Sequence, residues 1–230
     1  MQARRKIRAV VPIKDTANAK QRLAGVLSGA ERQQLALAML EDVLAALAPV
    51  DELAGILVVT TDPVATAIAA RYGADVSPDG AGDGHTGAVT AAARKLADEG
   101  FDLLVLPGDI PLVEAADIRQ LVRTHLMAAG GNAPAFTIVP ARDRRGSNAV
   151  LCSPPQAVPL RFGENSFFPH LAVARARGIE PAVVELAHIA LDIDTPDDLA
   201  LFLTEGTSTH ARALLTRWQS QRRDTSRASI

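Results

Sequence analysis

The stretch 55-GILVVTTDPVATAIAARYG-73 decides how this chain is built. Gly55 to Thr60 is an unbroken apolar run of strand length, the pattern of a strand covered on both faces rather than one. Asp62 and Pro63 then supply an N-cap and a first-turn proline, and the helix they open reaches Tyr72-Gly73. Ala74 to Val76 reads as a short further strand. A buried strand feeding directly into a helix and then another strand is the unit from which parallel sheets are made.

The same alternation extends in both directions. Ile7 to Ile13 reads as a buried strand, followed by the polar loop PIKDTANAKQRL (12–23). Ser28 and Glu31 have capping-box spacing and open a helix that carries Leu35, Met39 and Val43 on one face as far as about Ala48, where Pro49 stops it. SPDGAGDGHTG (77–87) is expected to be a loop because of its glycines, with a helix over Ala88 to Glu99. Leu103 to Leu106 is strand-like and runs into PGDIP, and a helix over Ala115 to Ala129 ends at Gly130-Gly131. Ala135 to Pro140 and Asn148 to Cys152 read as strands on either side of ARDRRGS. RFGENS (161–166) is a loop, Phe167 to Arg177 a helix, and Pro181 to Leu186 and Ile189 to Ile193 are expected strands. Thr195-Pro196 with Asp198 caps a last core helix. The expectation is an α/β fold with a largely parallel, twisted sheet, helices on both faces and right-handed crossovers. Residues 1–204 form one domain in this reading. Residues 205–230 follow as a C-terminal segment in which His210 to Gln221 makes an amphipathic helix carrying Trp218, and DTSRASI frays.

The bulk numbers restrict function. The chain has 230 residues, 48% of them hydrophobic, and only eight aromatics (six Phe, Trp218 and Tyr72), so its core is built from Ala, Leu, Val and Ile. A net charge of −2 gives no global field for a polyanion, which argues against nucleic-acid binding and requires any phosphate chemistry to come from a local cluster of bases. The single Cys152 excludes an internal disulfide, and its spacing to the five His residues resembles no zinc site. The N-terminal apolar run is too short for a signal peptide, and no stretch reaches the roughly 18 apolar residues of a membrane span. A cytoplasmic protein with no membrane partner is expected.

In a sheet of this kind ligands collect at the carboxyl ends of the strands. Four clusters follow strands here: Lys14, Lys20 and Arg22; Asp62; Asp109; and Asp192 with Asp194. In an extended strand Asp192 and Asp194 point to one face, where two like charges need a cation. Magnesium suits, because it takes oxygen ligands, keeps several waters and needs only one or two carboxylates plus substrate phosphates. A triphosphate could then be held by metal at one end and by lysines and a forked arginine at the other. Taken singly, each cluster has a plainer reading: a solvated turn for the basic loop, a turn and cap for Asp109, a surface turn for Asp192 and Asp194, and an N-cap for Asp62.

The ordered set PIKDTANAKQRL, LSGAER, LALAMLEDVL, LPGDIPL, RRGSNAVL, RFGENSF and LDIDTPDDL, from about Val10 to Leu203, resembles the CofC/FbiD guanylyltransferases of deazaflavin coenzyme F-420 biosynthesis. The resemblance implies a Rossmann-like, GT-A-like nucleotide-diphospho-sugar transferase fold. It implies that GTP condenses with a small phosphorylated C3 acid (phosphoenolpyruvate, 2-phospho-L-lactate or 3-phosphoglycerate) and releases pyrophosphate, with Mg2+ as cofactor and a homodimer as the assembly. Carried over by motif, Asp109, Asp192 and Asp194 hold the metal, and Lys20, Arg22 and Asp109 act at the reacting phosphates. Lys14, Lys20 and Arg22, with Asp62, His85 and Thr86, are expected to face GTP, and Ser147, Gly163 and Ser166 the acceptor's phosphate. Ser166 also stands where a helix begins, so free N–H groups and the helix dipole favour an anion there. One departure is that GHTGAV stands where relatives carry a Leu-Asn pair, leaving His85 to replace that asparagine or simply to be solvated. The rival readings are a molybdopterin or sugar-phosphate nucleotidylyltransferase, whose glycine-rich opening loop is missing here, and a noncatalytic GTP-binding protein of the same fold.

Overall fold

The computed structural model describes residues 6–131, 133–163, 165–205 and 208–228, with backbone alone over 223–228. Among the described residues seven strands form one sheet: β1 (Lys6–Pro12), β2 (Leu53–Val59), β3 (Asp75–Ser77), β4 (Phe101–Val105), β5 (Ala135–Pro140), β6 (Ser147–Ser153) and β7 (Ala182–Val183), in the order β3-β2-β1-β4-β6-β5-β7. β6 runs antiparallel to both β4 and β5, while the other four pairings are parallel. This reversal matters for the site, because it brings the start of β6 to the edge where β1, β4 and β5 end.

Among the described residues there are eight α-helices: α1 (Gly29–Leu47), α2 (Pro63–Arg71), α3 (Gly84–Glu99), α4 (Ala115–Ala128), α5 (Phe167–Ala176), the single turn α6 (Ala187–Ala190), α7 (Pro196–Thr204) and α8 (His210–Ala228). Side chains alternate along the strands, so β1 sends Ile7, Ala9 and Val11 to one face and Val10 to the other. The first face is covered by α1, α2 and α4 through Leu44, Ile68 and Leu121 among others. On the second face, α3 packs with Ala88, Ala92 and Ala93, small side chains that let a helix lie close, and α5 covers β5 and β6 with Phe167 and Leu171. Burial of each Leu or Val contributes roughly 1.5–3 kcal/mol. α1 is buried on two sides: Leu35 and Met39 turn to a separate cluster with Phe202, Leu215 and Trp218, which seats α7 and α8.

The capping signals worked as expected. Ser28 and Glu31, and Thr195 and Asp198, form reciprocal boxes, and Asp62 caps α2 ahead of Pro63. Four expectations need correction. α3 begins at Gly84, four residues early, so His85 and Thr86 lie in its first turn and not in a loop; Gly87, also in that helix, leaves room for Asp83, with which a Cβ there would collide. Ile189 to Ile193 is no strand: it is a helical turn followed by irregular chain, whose apolar residues feed two different cores, Ile189 the sheet face and Leu191 and Ile193 the α7–α8 cluster. The strand expected from Pro181 to Leu186 shrinks to two residues on the sheet edge. α8 continues to Ala228 past the expected end at Gln221, and residues 229 and 230 of the tail lie outside the described residues.

An acidic side chain joins α8 to the body. Asp42, buried on α1, accepts from the backbone N–H groups of His210 (2.6 Å) and Ala211 (3.0 Å), two of the otherwise orphaned donors at the start of α8. Burial pushes its pKa up to about 6, against the pull of those two bonds and of the His210 charge.

Candidate active site

At the shared edge lies a cleft of about 930 Å³, walled by the loops after β1, β4 and β5, the start of β6, the first turn of α3 and residues 190–195. A second hollow of about 460 Å³ adjoins it behind the basic loop, and the two share Lys14, Arg22, His85, Pro107, Asp109 and Asp194.

The basic loop owes its shape to local bonds. Two short 3-10 turns, Thr16–Asn18 and Gln21–Leu23, are separated by Lys20, which adopts the left-handed conformation (φ 53°, ψ 45°) that non-glycine residues rarely take. Leu23 and Leu27 anchor the far end in the α7–α8 cluster. Asp62 anchors the near end: its Oδ2 accepts from Thr16 N–H (3.0 Å) and from the Thr16 hydroxyl, and its Oδ1 accepts from Val64 N–H (2.8 Å) and Ala65 N–H (3.1 Å). Burial raises the pKa of such a carboxyl, but these donors outweigh it and hold Asp62 below the usual range. Asp62 is therefore a buried clamp on the loop and does not line the cleft or its adjoining hollow.

The strain at Lys20 aims its ammonium inward. Nζ lies 2.6 Å from Asp109 Oδ2 and 2.7 Å from Asp194 Oδ1, and the side chain is only 9% exposed. Burial opposes its charge, yet the two carboxylates more than compensate and raise its pKa. Lys14 and Arg22 stay exposed on the cleft wall. His85, half-buried, sets its ring edge-on to Phe162 at 4.5 Å, and burial lowers its pKa, with Asp109 and Lys14 pulling in opposite directions. The Thr86 hydroxyl accepts from Phe162 N–H at 3.0 Å, so α3 is latched to the RFGENS loop.

Three carboxylates converge at the floor. Asp109 follows Gly108, where a Cβ would collide with Ile13, so the chain can turn sharply beneath the basic loop. The Asp109 carbonyl accepts from Ile193 N–H at 3.0 Å, which fixes the Asp192–Asp194 segment alongside without a strand. Asp192 Oδ1 accepts from Asn148 Nδ2 (3.0 Å), whose amide also reaches Ile189 O (3.0 Å). Burial raises the Asp192 pKa, and Asp109 and then Asp194 add to it against the Asn148 bond. Two of the three acids, Asp109 and Asp194, thus share one buried ammonium, while Asp192 is held by Asn148.

Among the described residues no group of three or more His, Cys, Asp or Glu is gathered tightly enough to hold a metal unaided. The donor set nevertheless fits magnesium, which uses one or two carboxylates and leaves other positions to water and phosphate. The Lys20 ammonium, seated between Asp109 and Asp194, is a stand-in cation that shows this pair accepting positive charge.

Ser147, Gly163 and Ser166 also line the cleft. Ser166 occupies the N-cap position of α5 but its hydroxyl does not cap; it bonds Ser147 Oγ at 3.1 Å instead. The helix start is also a poorer anion cradle than expected, since Phe167 N–H already donates to Arg145 O (2.9 Å) and Pro169 has no N–H. Of the expected site residues, then, all but Asp62 meet at the cleft or its adjoining hollow. Missed from sequence were Arg142 and Arg145 on the rim, Asn148 behind Asp192, and His170, which bonds Ser147. Asn148 carried a legible signal, a poor strand former inside an apolar strand.

Residues 7–228 match the family model described as "Guanylyl transferase CofC like". Phosphoenolpyruvate guanylyltransferase of Rubrobacter xylanophilus is 39% identical, covering 86% of this chain and 94% of its own. The 2-phospho-L-lactate guanylyltransferase of Methanothermobacter thermautotrophicus is 35% identical (90% and 88% covered), and the 3-phospho-D-glycerate guanylyltransferase of Colwellia psychrerythraea 36% (84% and 89%). Among solved structures, a putative nucleotide-diphospho-sugar transferase from Desulfovibrio desulfuricans superposes with a TM-score of 0.72 at 17% identity, covering 96% of this chain and 98% of that one, a likeness of fold. The chain belongs to the CofC-like guanylyl transferase family, and so is a nucleotidyltransferase.

Proposed function

We propose that this protein transfers GMP from GTP to the phosphate of a small C3 acid, releasing pyrophosphate, as a step in deazaflavin coenzyme F-420 biosynthesis. The observation that carries the reading is the Lys20 ammonium held between Asp109 and Asp194, two carboxylates that line the same cleft as Ser147, Gly163 and Ser166. The first set is built for cations and triphosphate, the second for a small anion.

Asp109, Asp192 and Asp194 would hold magnesium, which when bound neutralises phosphate charge and polarises the P–O bonds. Lys20, Lys14 and Arg22 surround the place where the leaving pyrophosphate gathers charge. An acceptor phosphate oxygen forms the new bond to the α-phosphorus as the α–β bridging P–O bond breaks and its electron pair leaves with pyrophosphate. A phosphate monoester is largely ionised at neutral pH, so no side chain needs to remove a proton, and the protein's contribution is position and preorganised charge. At Gly163 a Cβ would meet nothing within 4 Å, so the folded chain leaves open the backbone on which the acceptor's phosphate would rest.

The same reading includes a cytoplasmic homodimer; no helix among the described residues is long and apolar enough to cross a membrane. Light scattering on purified protein tests the dimer. The activity is tested by pyrophosphate release from GTP with phosphoenolpyruvate, 2-phospho-L-lactate and 3-phosphoglycerate in turn. Release dependent on one of these acids is expected, and release with none of them rejects the reading.

A further inference from the structure

We infer that His170 is a positioning residue that makes the Ser147–Ser166 hydroxyl pair present an O–H donor to the cleft, an inference that rests on the acceptor-site reading above. His170 is 2% exposed, in the first turn of α5, with its ring 5.3 Å from that of Phe162. Its Nε2 lies 2.9 Å from the backbone nitrogen of Arg161. A backbone amide can only donate, so Nε2 is the acceptor and carries no proton. The proton of the neutral ring is then on Nδ1, which donates to Ser147 Oγ at 3.0 Å.

Ser147 and Ser166 share one hydrogen bond between their hydroxyls, at 3.1 Å. Two hydroxyls have two protons; one closes the bond between them. His170 fills a lone pair on Ser147 and, as a donor at that nitrogen, cannot accept the second. Among the described residues that second O–H has no internal acceptor, and both side chains line the cleft. The pair is thereby committed to donating outward, the polarity that a phosphate oxygen requires. Burial supports the tautomer: it lowers the His170 pKa to about 4, and an imidazolium would set a second donor against Arg161 N–H.

Two substitutions separate the ring's two bonds. His170→Asn can place an amide nitrogen where Nδ1 stands, keeping the donor to Ser147 and losing the Arg161 contact. His170→Gln can place an amide oxygen where Nε2 stands, keeping Arg161 and losing the donor. With the acid that supports turnover, His170→Gln is expected to raise its KM about 10-fold and His170→Asn less than about 3-fold, the loss of one hydrogen bond separating them. The KM for GTP should be unchanged in both. Equal effects of the two variants, or a wild-type KM in His170→Gln, overturn the inference. Ser147→Ala serves as the control: if it leaves the acid's KM unchanged, the acceptor-site reading itself fails, whereas a raised KM there beside a wild-type His170→Gln condemns only the role of His170. The imidazole nitrogen chemical shifts of the wild-type protein at pH 7 give an answer independent of variants. They should show His170 with its proton on Nδ1, and an Nε2–H ring or a charged one overturns the inference.

Discussion

The ammonium of Lys20 lies 2.6 Å from the carboxylate of Asp109, a contact that joins the loop after β1 to the loop after β4 across 89 residues of sequence. Neither loop carries a glycine-rich phosphate cradle. What they offer instead is a cation and an anion already placed face to face, with Asp194 as a second anion at 2.7 Å. In the proposed reaction metal and triphosphate would divide this arrangement between them, carboxylates to the metal and ammonium to the phosphates.

Replacing Asp109 with Asn removes charge without changing shape. Turnover should fall by roughly 10²- to 10³-fold, the usual loss when one preorganised charge is taken from such a site. Lys20 keeps Asp194, and the Asp109 side chain is 29% exposed, so the thermal midpoint should move by less than about 4 °C. Calorimetry and pyrophosphate release on one preparation check both. Normal turnover removes Asp109 from the reaction.

Arg22 stands exposed where the cleft and its adjoining hollow meet. Arg22→Ala should raise the KM for GTP about 10-fold and leave that for the acid within about 2-fold, since a charge-assisted phosphate contact is worth about 1.5–3 kcal/mol. Steady-state kinetics with each substrate varied in turn measures this. An unchanged GTP dependence would reject the role.

Gly163→Ala adds a methyl group to open space, so urea unfolding should change by less than about 0.5 kcal/mol. If the acid's phosphate rests on that backbone, its KM should nevertheless rise about 10-fold. Equal kinetics in the variant would move the acceptor elsewhere.

Asp42 gives a pH dependence unconnected with catalysis. Its folded pKa, about 6, lies above the ordinary carboxylate value, so the folded state binds the proton more tightly than the unfolded chain does. The stability this group contributes is largest below about pH 4 and falls as pH rises through 6, by an upper bound of about 3 kcal/mol. Asp42→Asn does not titrate. The stability of wild type minus that of Asp42→Asn, from urea unfolding between pH 4 and 8, should therefore decline with rising pH; a difference that grows with pH contradicts this account.

Much of this architecture could be read before any coordinates, because its signals were local. Ser28 with Glu31, Asp62 with Pro63, and Thr195 with Asp198 are side chains that satisfy nearby backbone donors, and they mark helix starts whatever surrounds them. Expectations failed where tertiary contacts decide. Gly84 and Gly87 look like loop residues until Asp83 and Phe162 are packed against that turn. Ile189, Leu191 and Ile193 alternate like a strand, yet they serve a chain passing between two cores. In the site, Asp109 was legible as a charge following a strand and Asp194 through a segment that alternates like one without being one, whereas His170 was not legible, since its role arises from Arg161 N–H and Ser147 Oγ meeting its ring from two sides.

A crystal structure with magnesium and a nonhydrolysable GTP analogue tests the central claim most directly. The account predicts a metal bound by Asp109 together with Asp192 or Asp194, and Lys20 Nζ moved from these carboxylates to a phosphate oxygen. A nucleotide bound away from this cleft, or Lys20 still bridging Asp109 and Asp194 beside an occupied site, would contradict it.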